Sequence, residues 1–227
     1  MITNDSPPPN VKLSDYIVVF EKTLTKTFCR KLSMRMKNDH RKQIGIVGRS
    51  KTLRKDIKNS YDLHLSPLDD YKEEDDVLFN CLSKYKDLYL DVVQEKTGIN
   101  PNFLSGFGYG YTSPNDVCSD TGYQLKMYKT GMRYRWHHDY IIESLEGTRA
   151  LTYIWYLNDN FEGGETEFID GTIIKPKTGN MLIFPASWLY VHRGVEVTKG
   201  YKVIATGWYH HQHPKTYNIM TNSNLNT

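Results

Sequence analysis

The sequence predicts an α+β chain in which helices come first and a later β part closes into a sandwich or barrel. Three observations carry this. Two stretches before residue 100 place apolar residues at helical spacing. From Tyr109 onward, short Tyr-, Ile- and Val-rich runs recur between turn signals. No internal repeat is present, and "GFGYGY" has neither the spacing nor the following helix of a dinucleotide-binding glycine fingerprint.

At 227 residues the chain can fill one sizeable core. We expect a single domain over residues 13–213, between a polar N-terminal tail at 1–12 and a polar C-terminal tail at 214–227. The composition, 39% hydrophobic and 24% charged with a mean hydropathy of -0.59, is ordinary for a soluble protein. No apolar run approaches the roughly 20 residues a membrane helix needs. The start "MITNDSPPPN" lacks a signal-peptide pattern, so a cytoplasmic protein without membrane association is expected. Three widely spaced cysteines, Cys29, Cys81 and Cys118, support neither a disulfide framework nor a thiolate zinc site.

The net charge of +3 hides an asymmetry: Glu21 to Lys58 carries 13 Lys/Arg against 3 Asp/Glu. The compensating acids cluster in "LDDYKEEDD", Leu68 to Asp76. Such a basic segment can attract nucleic acid, but basic residues along a helix are more often its solvated face.

Taken in order, Ile17 to Val19 reads as a short strand, and Leu24, Phe28, Leu32 and Met36, four apart, as the apolar stripe of a helix. The pattern from Val77 through Leu78, Cys81, Leu82, Tyr85, Leu88, Tyr89, Val92 and Val93 predicts a second helix, with Gly98 as its C-terminal cap. Strands follow, punctuated by "TSPND", "NDNFEGGE", "IDGT" and "KTGN".

The chemistry begins in "RYRWHHDY". On a strand, residues two apart share a face, so His137 and Asp139 point together and His138 points away. An H-x-D tripeptide is a chance-level signal until a third ligand joins it. His192, about 55 residues on, supplies one after the buried-strand run "GNMLIFP". Two histidines and a carboxylate on one face of a metal leave three open positions, the facial triad suited to non-haem Fe(II) and oxygen. In "GYKVIATGWYH", Lys202, Ile204, Thr206 and Trp208 share a strand face. If that face lines the pocket, Lys202 is a buried ammonium that needs an anion, and a dicarboxylate cosubstrate supplies one. Tyr128 and Tyr156 offer hydroxyls to the same carboxylate.

The run Tyr128-x-x-Gly131-x-x-Tyr134-x-x-His137-x-Asp139, then "RALTYIWYLNDNFEGGETEF", "IKPKTGNMLIFP" and His192-x-Gly194-x-x-Val197-x-x-Gly200-x-Lys202, ending in Trp208, resembles the Fe(II)/2-oxoglutarate dioxygenases of the prolyl 4-hydroxylase type. The likeness is close over roughly residues 103–211. It implies a double-stranded β-helix, or jelly-roll, core with supporting N-terminal helices. It also implies that His137, Asp139 and His192 hold Fe(II), and that Lys202 binds the distal carboxylate of 2-oxoglutarate. By the same resemblance Tyr128, Tyr156 and Thr206 line the cosubstrate pocket, and Trp208 packs near the iron. The implied reaction hydroxylates a substrate C–H, most naturally a prolyl residue of a peptide or protein. It consumes O2 and converts 2-oxoglutarate to succinate and carbon dioxide, with ascorbate as a reductant.

Two other classes compete: a related oxygenase acting on nucleic acid or a small metabolite, and a non-catalytic jelly-roll module that keeps the metal. The basic N-terminal segment is the sole support for the first, and the triad together with Lys202 argues against the second. His138 is expected to be packed or hydrogen-bonded away from the metal, and His210, His211 and His213 to be surface polarity. Arg149 is read as a substrate contact or a surface ion pair, "FGYGYT" as a flank of the groove or an ordinary strand, and Glu165 and Glu167 as turn residues rather than an acid-base pair. The sequence names neither the substrate nor the oligomeric state.

Overall fold

In residues 148–156, Leu151, Tyr153 and Trp155 join one buried apolar cluster while Ile154 and Tyr156 join another. A strand buried on both faces must lie in the middle of three layers, and this alternation organises the molecule. The computed structural model describes residues 11–46, 53–98, 118–120, 122–141 and 148–211. The tails read at 1–12 and 214–227, apart from residues 11 and 12, lie outside them, as do "FGYGYT" and His213.

In chain order the strands and helices are β1 (Val18–Phe20), α1 (Lys26–Asn38), β2 (Gln43–Ile44), β3 (Tyr61–His64), α2 (Lys72–Thr97) and β4 (Cys118–Asp120). Then come β5 (Gln124–Lys129), β6 (Tyr134–His137), β7 (Thr148–Tyr156), β8 (Glu162–Gly163), β9 (Thr166–Phe168) and β10 (Ile173–Ile174). The last are β11 (Met181–Pro185), β12 (His192–Gly194), β13 (Val197–Lys199) and β14 (Tyr201–His211). The large sheet runs β1-β11-β7-β14-β5-β3-β2, with β4 also on β14. The small sheet runs β10-β9-β12-β6, and β13 pairs with β8. Two antiparallel sheets with helices near the N-terminus agree with the α+β class expected, but helices do not simply come first: β1, β2 and β3 precede or separate them and form parts of the large sheet.

Each helix has local causes. Thr25 caps α1 by accepting from the Phe28 N–H at 3.2 Å, and Cys29, Leu32, Ser33 and Met36 form its buried face. α2 opens on Glu73, Glu74 and Asp75, which complement the helix dipole. It ends at Gly98, left-handed at φ 67°, whose N–H returns to the Gln94 carbonyl. Leu78, Leu82, Tyr89 and Val93 bury its inner face, whereas Val77 and Leu88, read as part of the same stripe, are exposed. Both helices share one cluster with the outer face of the large sheet, through residues such as Leu32, Leu82, Met127 and Trp155. Among the described residues no helix is long and apolar enough to cross a membrane.

The turn at "KTGN" ties the two halves together. Gly179 has φ +86°, and a Cβ there would meet the Leu24 carbonyl oxygen at 2.4 Å. Its own carbonyl accepts from the N–H groups of Thr23 and Leu24, which pins the β1–α1 link beside β11.

Part of the charge asymmetry is spent inside the chain. Lys31 reaches Glu74 at 3.4 Å, Arg35 reaches Glu74 at 2.7 Å and Asp70 at 3.1 Å, and Arg41 reaches Asp70 at 2.8 Å. Lys31 and Arg35 of α1, and Arg41 just beyond it, therefore meet Asp70 and the first turn of α2, while Lys26, Arg30 and Lys37 stay exposed as the solvated face expected. Most such pairs contribute little alone, but Glu74 is buried and depends on Arg35.

Candidate functional site

β6 and β12 lie side by side in the small sheet, and their register sets His137 directly opposite His192. Two residues past His137, Asp139 returns to the same place, as strand parity requires. Nε2 of His137 lies 3.8 Å from Asp139 Oδ1, and Nε2 of His192 lies 3.8 Å from Asp139 Oδ2. One ligand atom from each residue falls within 4.8 Å of the other two, a spacing that one metal ion can bridge.

The protonation states suit a cation. His137 Nδ1 lies 2.8 Å from the Arg135 carbonyl and His192 Nδ1 lies 3.0 Å from that of Tyr190. Each Nδ1 therefore carries the proton, and each Nε2 keeps its lone pair for a metal. Burial, then the neighbouring His192, pushes His137 down to about 3, so it is neutral at ordinary pH. Burial alone would raise the Asp139 carboxyl, but His192, His137, Arg149 and Lys126 outweigh it and hold the group well below the usual carboxylate range.

Orientation is fixed from outside. Tyr134 stacks on His137 at 3.5 Å, and Phe184 and Phe168 flank His192 at 4.9 and 5.6 Å. The Thr152 hydroxyl, on the inner face of β7, donates to Asp139 Oδ2 at 2.9 Å. Second partners of this kind tune metal affinity, so Thr152→Val is expected to weaken Fe(II) binding about 10- to 100-fold. Anaerobic metal titration checks this, and unchanged affinity would show that the bond does not orient Asp139.

The triad opens into a cavity of about 790 Å³ between the two sheets. Lys202, Ile204, Thr206 and Trp208 all line it, together with Tyr128. Lys202 is 3% exposed, and its ammonium donates to the Gly164 carbonyl at 2.6 Å and sits 5.4 Å from the Tyr128 ring. Burial pushes it down to about 8, with Glu165 pulling partly back. The Thr206 hydroxyl is committed to the Tyr153 carbonyl at 2.7 Å.

Tyr156 is placed differently from the expectation of a pocket hydroxyl. It is fully buried, is not among the cavity-lining residues, and shares a 2.9 Å hydrogen bond with Thr166, which does line the cavity. His138 is exposed at the cavity rim rather than packed, and stands apart from the triad. His210 is 1% exposed within β14, which corrects its reading as surface polarity: β14 extends between β4 and β7 and encloses it. Arg149 is no surface ion pair: it stacks on Trp208 at 3.4 Å and donates to the Asp139 carbonyl at 3.3 Å. Glu167 is bound to Arg193 at 2.6 Å.

Thr152 and Lys126 were missed from the sequence. The signal existed in strand parity: Lys126 shares a face with Tyr128 and Gln124 in "YQLKMYK", and Thr152 shares one with Ile154. Burial, then the charge of Lys58, pushes Lys126 down to about 8.

The two-sheet β fold brings a His-Asp-His cluster that could hold a metal ion and a buried lysine to one cavity. Residues 123–210 match the model of the 2OG-Fe(II) oxygenase superfamily, in line with the resemblance to Fe(II)/2-oxoglutarate dioxygenases. Prolyl 4-hydroxylase 1 of Arabidopsis thaliana is 31% identical over 110 residues, 37% of this chain and 39% of that protein. The matches span about two fifths of the length of such curated relatives. Among solved structures, the viral collagen prolyl hydroxylase of Paramecium bursaria Chlorella virus-1, in complex with 2-oxoglutarate, is similar at a TM-score of 0.58 and 22% identity. That similarity covers 86% of this chain and 95% of the viral one. A Trichoplax adhaerens prolyl hydroxylase, solved with a hypoxia inducible factor peptide fragment, gives a TM-score of 0.66 at 16% identity, over 91% of this chain and 87% of that chain. At these identities the structural likeness speaks for the fold.

Proposed function

We propose that the chain is an Fe(II)- and 2-oxoglutarate-dependent oxygenase that hydroxylates an unactivated C–H, that of a prolyl residue in a peptide or protein. In this reading residues 13–213 form one catalytic domain with its core at about 103–211. One observation carries the proposal: a His-Asp-His cluster, with Asp139 and His192 buried and His137 partly so, and a buried lysine face the same cavity from opposite sheets.

His137, Asp139 and His192 would hold Fe(II), since two neutral imidazoles and one carboxylate present lone pairs to a common point. Lys202 would pair with the distal carboxylate of 2-oxoglutarate beside Tyr128, while Thr206 and Trp208 shape the wall. When bound, the metal and cosubstrate supply oxygen activation, with one oxygen atom entering succinate and one the substrate. The chain binds and orients: Tyr134 and Phe184 hold the imidazole rings, Thr152 holds the carboxylate, and the closed inner sheet face keeps water from the reacting atoms.

The experiment is incubation with Fe(II), 2-oxoglutarate and a proline-rich peptide pool, read by mass spectrometry. The expected result is a peptide heavier by one oxygen atom, together with matching succinate. Succinate without any modified peptide would refute the peptidyl reading, and no succinate would refute the oxygenase reading.

A further inference from the structure

Three buried lysines, Lys58, Lys126 and Lys202, face the cavity, and the proposed reaction uses one of them. Every charged group lining it except Lys126 has a task among the described residues. Lys58 is paired with Asp62, whose other oxygen accepts from Ser60 at 2.7 Å. Asp139 belongs to the triad, Arg149 is engaged with the Asp139 carbonyl and Trp208, and Lys202 faces the cosubstrate position. Lys126 is 7% exposed and aims into the cavity, and among the described residues no hydrogen bond or ion pair reaches its ammonium. Its contact is the Trp208 ring at 5.2 Å.

Asp62, opposite Lys126 in the β3–β5 register, and Asp139 attract it across space, but they are bonded to Lys58 and Thr152. A buried ammonium with no anion in hydrogen-bond reach is costly and persists where binding repays it. Loading the site does not remove the need, because a divalent metal and a dicarboxylate cancel in charge. Lys126 stands opposite Ile204 in the β5–β14 register and Lys202 opposite Tyr128, so the two lysines are diagonal neighbours on adjoining strands. That places Lys126 beside the cosubstrate position and toward Trp208, on the same cavity wall.

We propose that Lys126 is a specificity-determining residue that receives a carboxylate of the substrate, the side chain of an aspartate or glutamate close to the hydroxylated residue. A peptide fits better than a nucleic acid. One enclosed ammonium accommodates one small anionic group, and the neighbouring cavity cations are engaged, Lys58 with Asp62 and Arg149 with Trp208 and the Asp139 carbonyl, so the cavity offers no row of cations to a phosphate chain. The inference deepens the oxygenase reading and rests on it.

The test uses the full chain loaded anaerobically with Fe(II) and 2-oxoglutarate, and pairs of proline peptides that differ by Glu against Gln at each position within three residues of the proline. Calorimetry is expected to show at least one Glu peptide binding about tenfold or more tighter than its Gln counterpart, the scale of a charge-assisted hydrogen bond. Lys126→Met should erase that preference, and Lys126→Glu should turn it toward Lys at the same position. If neither variant folds, carbodiimide coupling of the wild-type complex should join the preferred Glu peptide to Lys126, as located by mass spectrometry. The assignment is overturned if no pair differs by more than about twofold, if the preference survives Lys126→Met, if coupling finds another lysine, or if Lys126→Met weakens 2-oxoglutarate binding instead. Succinate formation on admitting air reports on the oxygenase reading separately.

Discussion

Replacing His192 with alanine is expected to lower Fe(II)-dependent conversion of 2-oxoglutarate to succinate by at least about a thousandfold, roughly 4 kcal/mol of lost barrier reduction. The size follows from the donor set. Among the described residues, His137, Asp139 and His192 form the cluster that can surround one ion, and removing one imidazole leaves two ligands in a closed space. No neighbour can substitute, because the rings beside His192 are Phe168 and Phe184. His138→Ala, one residue from a ligand but exposed at the rim, should leave Fe(II) affinity within about twofold. Thermal melts of both variants should separate ligand loss from unfolding. Equal losses in the two would mean that parity chose the wrong histidine.

The second large effect is expected from Lys202→Met, which should raise the KM for 2-oxoglutarate by about 100-fold or more, the 3 kcal/mol or so of a buried charge pair that loses one partner. Stability should move the other way or hardly at all. The substitution removes the desolvation cost of a 3% exposed ammonium, against one lost hydrogen bond to the Gly164 carbonyl. The cosubstrate should then no longer raise the Tm of the variant. A pH dependence accompanies this. Burial lowers Lys202 to about 8 in the unliganded cavity. The protonated form binds the dicarboxylate, so affinity should be flat below about pH 8 and fall as pH rises above it. A pH-independent KM would place the carboxylate elsewhere.

Much of this site was legible because strand parity is a strong constraint. It selected His137 with Asp139 over His138, and it put Lys202, Ile204, Thr206 and Trp208 on one wall, where all four are found. Helix periodicity similarly located α1 and α2, and Gly98 capped the second where expected. What parity cannot give is depth along a strand. Tyr156 shares its face with Thr152 and Ile154 but lies beyond the cavity, where Thr166 takes its hydroxyl. Nor can it give partners distant in sequence. His210 looked exposed in a polar run near the C-terminus, yet β14 continues past it between β4 and β7. The pairing of Lys31, Arg35 and Arg41 was hidden because their acidic partners lie at residues 70–74, 29 to 43 positions further along the chain, while Lys26, Arg30 and Lys37 are exposed as read.

In the proposed function one cavity, with its triad at one side and Lys202 at the other, couples 2-oxoglutarate decarboxylation to substrate hydroxylation. This coupling is tested most directly by mass spectrometry of succinate and peptide formed under isotopically heavy O2 with Fe(II) present. The account predicts one heavy oxygen atom in succinate and one in the hydroxylated peptide, both lost in His192→Ala. Succinate that carries no heavy oxygen, or that forms equally well without Fe(II), would contradict it.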